Sequence, residues 1–265
     1  ERRKMQIVFT ALESFTCYTL AMRQINNQIN PQHIQLPKGH FELMFDDERW
    51  SNITKQQFSA SGYLNAQTVS GKGGRGSAWF VETPVGPAVL KHYRRGGWVA
   101  KLTSNHYLYL GLFRTRSLKE FQLLSYMRDV GLPVPIPLAA FSVRRFGFYQ
   151  AALLTSRIEN AHSLADALRN QTAPWEKVGK TLARFHAANI RHADLNANNI
   201  LITQSEDIFF IDWDKGEIGM GNASWSDKVI TRLVRSLRKE FTHADTAYLE
   251  AGLQKMIKAY KEAMP

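Results

Sequence analysis

Cysteine is nearly absent from this chain: its 265 residues carry Cys17 alone. One thiol cannot close an intrachain disulfide, so the fold must be held by its core, as suits a reducing compartment. Long apolar runs are absent too. Met5-Gln6-Ile7-Val8-Phe9-Thr10-Ala11-Leu12 follows Arg2-Arg3-Lys4 as a signal h-region would, but Glu13, Ser14, Thr16 and Thr19 dilute it. That stretch is too short and too polar to span a bilayer. Residue 1 is Glu rather than an initiator Met, so residues 1–33 read as an N-terminal extension, with Met22 an alternative start. There is no internal repeat and no low-complexity tract. Acidic residues are few against basic ones: 23 Asp and Glu face 34 Lys and Arg, a net charge of +11 at pH 7. Such an excess calls for a polyanionic partner, whether nucleic acid, an anionic membrane or an acidic substrate. The motifs of a nucleic-acid reader (aromatic RNP strands, zinc ligands, a recognition helix) are missing, which sets a nucleic-acid-binding module behind an enzyme.

What is present carries chemistry. His192-Ala193-Asp194-Leu195-Asn196-Ala197-Asn198-Asn199 fits the template H-x-D-L-x-x-x-N, and Asp212-Trp213-Asp214 follows further on. Between them Ile200–Ile202 and Ile208–Ile211 read as two short strands around a polar turn, so a hairpin would return Asp212 to Asn199. Phosphoryl transfer to a hydroxyl needs a carboxylate to accept the proton, and a carboxamide and a second carboxylate to hold Mg²⁺. Asp194, Asn199 and Asp212 supply that set in order.

Upstream, Gly71-Lys72-Gly73-Gly74-Arg75-Gly76 matches G-x-G-x-x-G. In a dinucleotide-binding domain those glycines would open a helix. Here Ala78–Thr83 is aromatic and β-branched, Pro84-Val85-Gly86 is a turn, and Pro87–Tyr93 is a return strand. Gly71, Gly73 and Gly76 on a hairpin over the phosphates, with Lys91 on the return strand, is the arrangement of kinases. The segment Thr115–Met127 has helical apolar spacing at Leu118, Phe121, Leu124 and Tyr126, and Glu120 is its only acid, so Glu120 is assigned as the ion-pair partner of Lys91. The separation of Lys91 and Glu120 exceeds the usual one by about ten residues, which implies an insertion.

The architecture expected is α+β and two-lobed, protein-kinase-like. A β-rich N-lobe with one long helix spans 34–154, and a mainly helical C-lobe spans 155–265. Strands are expected at Leu138–Val143 and Phe148–Thr155, a hinge at Thr155–Ile158, and Ser163 as the N-cap of a helix. A further helix is expected over Trp175–Asn189, with His186 packed in the core. Two more lie between Asp227 and Ala263, the first strongly basic. Ala193 stands where protein kinases carry an Arg that reads a phosphorylated activation loop, no A-P-E follows, and Asp212-Trp213-Asp214 replaces D-F-G. Little chain is left to bind a peptide, which favours a small-molecule or glycan hydroxyl as acceptor. Two basic regions remain: one through Arg94-Arg95-Gly96-Gly97-Trp98 to Arg116, and a helical face of Arg232, Arg235 and Lys239. The first, with its aromatics, suits sugar rings or a membrane interface.

The chain resembles the 3-deoxy-D-manno-octulosonic acid (Kdo) kinases of Gram-negative lipopolysaccharide synthesis. The matching runs include Gly74–Phe80, Leu90–Gly97, Thr115-Arg116-Ser117, Gly131–Pro135, His192–Asn196, Ile211–Gly216 and Arg235–Lys239, from about Gln56 to the C-terminus. Arg94-Arg95-Gly96-Gly97 and Asp212-Trp213-Asp214-Lys215-Gly216 are the more specific of these. The resemblance implies ATP-dependent phosphorylation of the 4-hydroxyl of Kdo on a lipid A precursor, by a peripheral protein at the cytoplasmic face of the inner membrane. Asp194 would then be the base, Asn199 and Asp212 the Mg²⁺ ligands, Lys91 the phosphate-binding residue with Glu120 behind it, and the glycine loop the cover of ATP. Arg94 and Arg95 would meet the acceptor's acidic groups. A heptose kinase of the same pathway, or an antibiotic or choline-type kinase, would share every catalytic residue. None of those residues is substituted, which argues against a dead pseudokinase.

Overall fold

A computed structural model describes residues 32–36, 39–45, 50, 53–69, 78–93, 107–111, 114–219, 224–243 and 246–265, with backbone alone at 32–36, 39–45, 145 and 224. The architecture is mixed α and β, with antiparallel sheets and five α-helices among the described residues.

The N-terminal half is built on one sheet. Its strands are β1 (Gln32–Leu36), β2 (Gly39–Phe45), β3 (Gln67–Thr68), β4 (Ala78–Thr83), β5 (Gly86–His92), β6 (Tyr107–Leu108), β7 (Pro137–Arg145) and β8 (Phe148–Ser156). They run in the order β1-β2-β7-β8-β5-β4-β3, with β6 added against β8. The expected hairpin at β4–β5 forms with Ala78 opposite Lys91. β7 and β8 are each longer than the alternation suggested, and they join through Phe146 and Gly147, at φ +47° and +77°. Two consecutive positive φ values give the two-residue turn whose twist matches a right-handed hairpin.

One face of the sheet is covered by Trp50, Ile53 and Phe58, packed on Val81, Leu90, Phe141 and Leu154. The other face receives α1 (Arg116–Asp129). Leu118, Phe121 and Leu124 are buried as their spacing requires, but Leu123 and Met127 are buried as well, while Tyr126 is only half-buried. The helix lies between the sheet and the helical half, so it needs apolar groups on two sides rather than one. Ser117 satisfies its hydroxyl within this interface by donating to Phe141 O at 2.9 Å. The helix stops at Gly131 (φ +75°), where Leu132 N–H donates to Met127 O at 2.8 Å. That closure is the left-handed glycine cap.

The second half follows β8 through β9 (Ala161–Ser163) into α2 (Leu164–Arg169), α3 (Trp175–Ala187), β10 (Ile190–Arg191), β11 (Ile200–Thr203), β12 (Ile208–Phe210), β13 (Glu217–Ile218), α4 (Ser224–Glu240) and α5 (Ala247–Ala263). Ser163 caps α2 as expected, its Oγ accepting from Asp166 N at 3.1 Å while Asp166 Oδ2 accepts from Ser163 N at 3.2 Å. α3 ends before Asn189, whose φ is +58°. α3 and α5 meet at glycines. A Cβ on Gly179 would strike the Met256 carbonyl, and one on Gly252 would strike the Trp175 ring. His186 on α3 is a core residue as expected, its Nδ1 bonded to Tyr260 Oη at 2.8 Å.

Candidate active site

Four elements converge on a small set of polar side chains. Lys91, near the end of β5, reaches Glu120 of α1, with Nζ at 2.9 Å from Oε2 and 3.1 Å from Oε1. Glu120 is 4% exposed. A carboxylate so buried must be fully hydrogen-bonded. Tyr93 Oη donates to its Oε2 at 2.6 Å and the Trp213 N–H donates to its Oε1 at 3.1 Å. Glu120 therefore ties the sheet, α1 and the segment after Asp212 together.

Lys91 also meets Asp212, with Nζ at 2.5 Å from Oδ1. Burial pulls the Lys91 pKa down, but the carboxylates of Glu120 and Asp212 outweigh it and hold the ammonium above its ordinary value. Lys91 in turn holds the Asp212 carboxyl below the usual range, against burial. Burial and then the Glu120 charge push the Tyr93 phenol well up, so it remains a donor. Asp212 sits in the left-handed region, φ +63°. Strain of that kind persists where the surroundings impose it. Here Ile211 N–H is bound to Asn199 O at 3.0 Å on one side and Trp213 N–H to Glu120 on the other.

The H-x-D-L-x-x-x-N motif is positioned by a histidine. His192 is buried, and its Nε2 meets Ile211 O at 2.9 Å while its Nδ1 accepts from Asp194 N–H at 3.2 Å. Those partners require the neutral Nε2–H tautomer. Burial lowers the His192 pKa, in keeping with that form. One ring thus spans the loop bearing Asp194 and the strand end bearing Asp212. The β11–β12 hairpin pairs Ile200 with Phe210, as the alternation implied, and brings Asp212 back to Asn199. Asn199 Nδ2 donates to Asp194 O at 3.0 Å, and Asn196 Nδ2 to the same oxygen at 2.9 Å. Trp213 turns into the core, its ring against Phe185 and His192 and its indole N–H on Phe210 O at 2.9 Å.

The structure thus brings Lys91, Glu120 and Asp212 into direct contact, and Asp194 and Asn199 into one loop beside them. Gly71, Gly73, Gly76, Arg94 and Arg95 lie outside the described residues. Two partners were not read from the sequence. Arg116, the first residue of α1, pairs with Asp214, its Nε 2.6 Å from Oδ1, and it also contacts Tyr107 Oη. Arg232 of α4 pairs with Asp194, Nη1 at 2.5 Å from Oδ1. Arg116 and Arg232 each lay in a motif or a basic stripe, but nothing in the spacing pointed either one at an acid far along the chain.

Comparison with known proteins fits this geometry. The model of the lipopolysaccharide kinase (Kdo/WaaP) family matches residues 62–253. A 3-deoxy-D-manno-octulosonic acid kinase of Stenotrophomonas maltophilia (strain R551-3) is 44% identical over 204 residues, 76% of this chain and 82% of that protein. The protein of the same name from Xanthomonas campestris pv. campestris (strain B100) is 39% identical over 228 residues, 85% of this chain and 92% of its own length. One from Xylella fastidiosa (strain 9a5c) is 41% identical over 206 residues, 76% of this chain and 83% of the relative. The matched span takes in Lys91, Glu120, the His192–Asn199 loop and Asp212, and on that footing the chain belongs to the lipopolysaccharide kinase (Kdo/WaaP) family.

Proposed function

We propose that this protein transfers the γ-phosphoryl group of ATP to a hydroxyl of Kdo, the 4-hydroxyl, on a lipid A precursor during assembly of the lipopolysaccharide core. The observation that carries this reading is the Lys91–Glu120–Asp212 cluster set beside the Asp194–Asn199 loop, in a chain whose relatives are named for that sugar acid. Membership of a kinase family implies ATP as donor.

In this reading residues 34–154 form the nucleotide-binding lobe and 155–265 the catalytic and acceptor lobe, with ATP between them. Lys91 binds the α- and β-phosphates, with Glu120 fixing its direction. Asp194 orients the acceptor hydroxyl and takes its proton. The new bond joins that oxygen to the γ-phosphorus as the bond from the γ-phosphorus to the β,γ-bridging oxygen breaks, and ADP leaves. The donor set suits Mg²⁺: Asp212 offers carboxylate oxygens, and Asn199 keeps its amide oxygen while its nitrogen is committed to Asp194 O. Among the described residues no group of three or more His, Cys, Asp or Glu makes a protein-only cage, and Mg²⁺ is commonly completed by water and phosphate. When bound, the ion neutralises charge on the transferring phosphates.

A membrane-borne acceptor also requires an approach to the bilayer, and we place the protein peripherally on the anionic cytoplasmic face of the inner membrane. Leu108, Leu110, Phe146 and Phe148 stand exposed together at the β6 edge and the β7–β8 turn, where Leu108 pairs with Phe148, and Phe146 is 84% exposed. Arg144 stacks over Tyr109 beside them, 4.8 Å from the ring centroid. Apolar tips beside an arginine suit a lipid headgroup boundary. No described helix is long and apolar enough to cross a membrane.

The test is phosphate transfer from labelled ATP with Mg²⁺ to a Kdo-bearing lipid A precursor, beside the same lipid without Kdo. Label on the Kdo-bearing lipid alone is expected. Label on neither, with ATP still bound, would reject Kdo and direct attention to heptose-bearing cores and soluble hydroxyl compounds.

A further inference from the structure

We propose that Arg232 is the subsite for the acceptor's carboxylate, a specificity-determining cation standing against the catalytic base. This rests on the functional reading above and adds to it the residue that recognises the sugar as an acid.

The observation is the Arg232–Asp194 pair and its setting. α4 is docked on the catalytic loop by Ser236, whose Oγ accepts from Ala197 N–H at 3.1 Å. Leu233 and Leu237 are fully buried and fix the helix's rotation. One turn back from Ser236, Arg232 is carried to Asp194, Nη1 at 2.5 Å from Oδ1. Unlike the Lys91–Glu120 pair, this one is open to solvent: the side chains are 43% and 63% exposed. Exposed ion pairs do little for stability. This one also stands in the way of the reaction, since the guanidinium occupies Asp194 Oδ1, an oxygen that the acceptor hydroxyl would need.

The conflict resolves if the pair opens or is shared when the acceptor arrives. A sugar acid brings a carboxylate and a hydroxyl on one small molecule. Entering alone, that carboxylate would be repelled by Asp194; Arg232 offsets the repulsion. A guanidinium offers five N–H donors in a planar fork suited to carboxylates, and among the described residues only Nη1 is engaged. Arg232 can therefore hold the acceptor's acid group while Asp194 turns to the hydroxyl. A neutral sugar would leave Arg232 on the base.

The experiment measures initial rates with the Kdo-bearing lipid and with the same lipid carrying the Kdo methyl ester, for wild type, Arg232→Gln, Arg232→Lys and Arg235→Gln. Arg235 is an exposed cation on the same helix, so its variant changes net charge equally. Methylation should raise the wild-type acceptor KM about tenfold to a hundredfold, the range for losing a hydrogen bond to a charged group. Arg232→Gln should raise the KM for the acid similarly, leave the KM for ATP alone and no longer distinguish acid from ester. Arg232→Lys should recover part of the loss, and Arg235→Gln should behave as wild type. If Arg232→Gln lowers kcat on both acceptors and keeps the wild-type preference for the acid, Arg232 acts on Asp194 and the subsite is wrong. Equal KM effects of Arg232→Gln and Arg235→Gln would replace it with diffuse attraction. If wild type phosphorylates neither lipid, the functional reading fails and the subsite falls with it, an outcome visible without any variant.

Discussion

Glu120 shows how one side chain can hold a site together. It accepts two hydrogen bonds from Lys91, one from Tyr93 Oη and one from the Trp213 backbone, all in a nearly dry setting. Removing one partner of a buried charged pair strands the others, at about 3–5 kcal/mol. Glu120→Ala should therefore lower stability by about that much in a urea titration, and Glu120→Gln by less, since it keeps hydrogen-bonding capacity. A loss below about 1 kcal/mol for the alanine variant would mean that Glu120 is not the anchor described here. Asp194 is the opposite case. It is exposed and contributes little to the fold, so Asp194→Asn should leave nucleotide affinity within about twofold while kcat falls at least about a hundredfold, the usual range for losing a general base. Retained turnover in that variant would exclude Asp194 as the base. The residues named from spacing alone were those whose partners follow a known order along the chain. Arg116 with Asp214, and Arg232 with Asp194, are joined across 98 and 38 positions, and no local pattern encodes such contacts.

At the level of elements, legibility depended on whether a segment meets one neighbour or two. The β4–β5 and β11–β12 hairpins were readable because strand alternation and turn residues are local facts. The spacing in α1 predicts one apolar stripe, yet the helix buries Leu123 and Met127 as well, because the helical half packs on its second side. It also runs on to Asp129, two residues past the expected end at Met127, so Glu120 is not its only acid. The basic face of α4 was visible as periodicity, but its direction is set by Leu233, Leu237 and Ser236, which periodicity does not rank. The α3–α5 contact has no signal in the sequence, because a glycine that admits a neighbouring backbone looks like any other. Gly179 lies against the Met256 carbonyl, so Gly179→Leu should force the helices apart and cost about 1–3 kcal/mol or more. Lys180→Leu, one residue on and exposed, serves as control. Similar melting temperatures for the two variants would disprove the close approach.

Taken whole, the molecule carries its exposed apolar cluster next in the chain to a run of polar contacts that leads to the site. Tyr107 adjoins Leu108, Arg116 contacts Tyr107 Oη, and Arg116 pairs with Asp214, two residues beyond Asp212. In sedimentation with phospholipid vesicles, the wild type should bind better when about a third of the lipid is anionic. The double variant Leu108→Ser/Phe146→Ser should bind at least about tenfold less tightly, given roughly 1.5–3 kcal/mol for each large apolar side chain withdrawn from water. Equal binding by both proteins would remove this cluster from the membrane contact. The Glu120 junction has a consequence of its own at this scale. Swinging α1 outward would leave the Tyr93 hydroxyl and the Trp213 N–H without their acceptor, and the Lys91 ammonium with Asp212 alone. At about 1 kcal/mol or more for each, the swung-out form is held to roughly one molecule in a hundred or fewer. Such a catalyst needs no partner to press α1 into place: its own tyrosine, lysine and backbone do so.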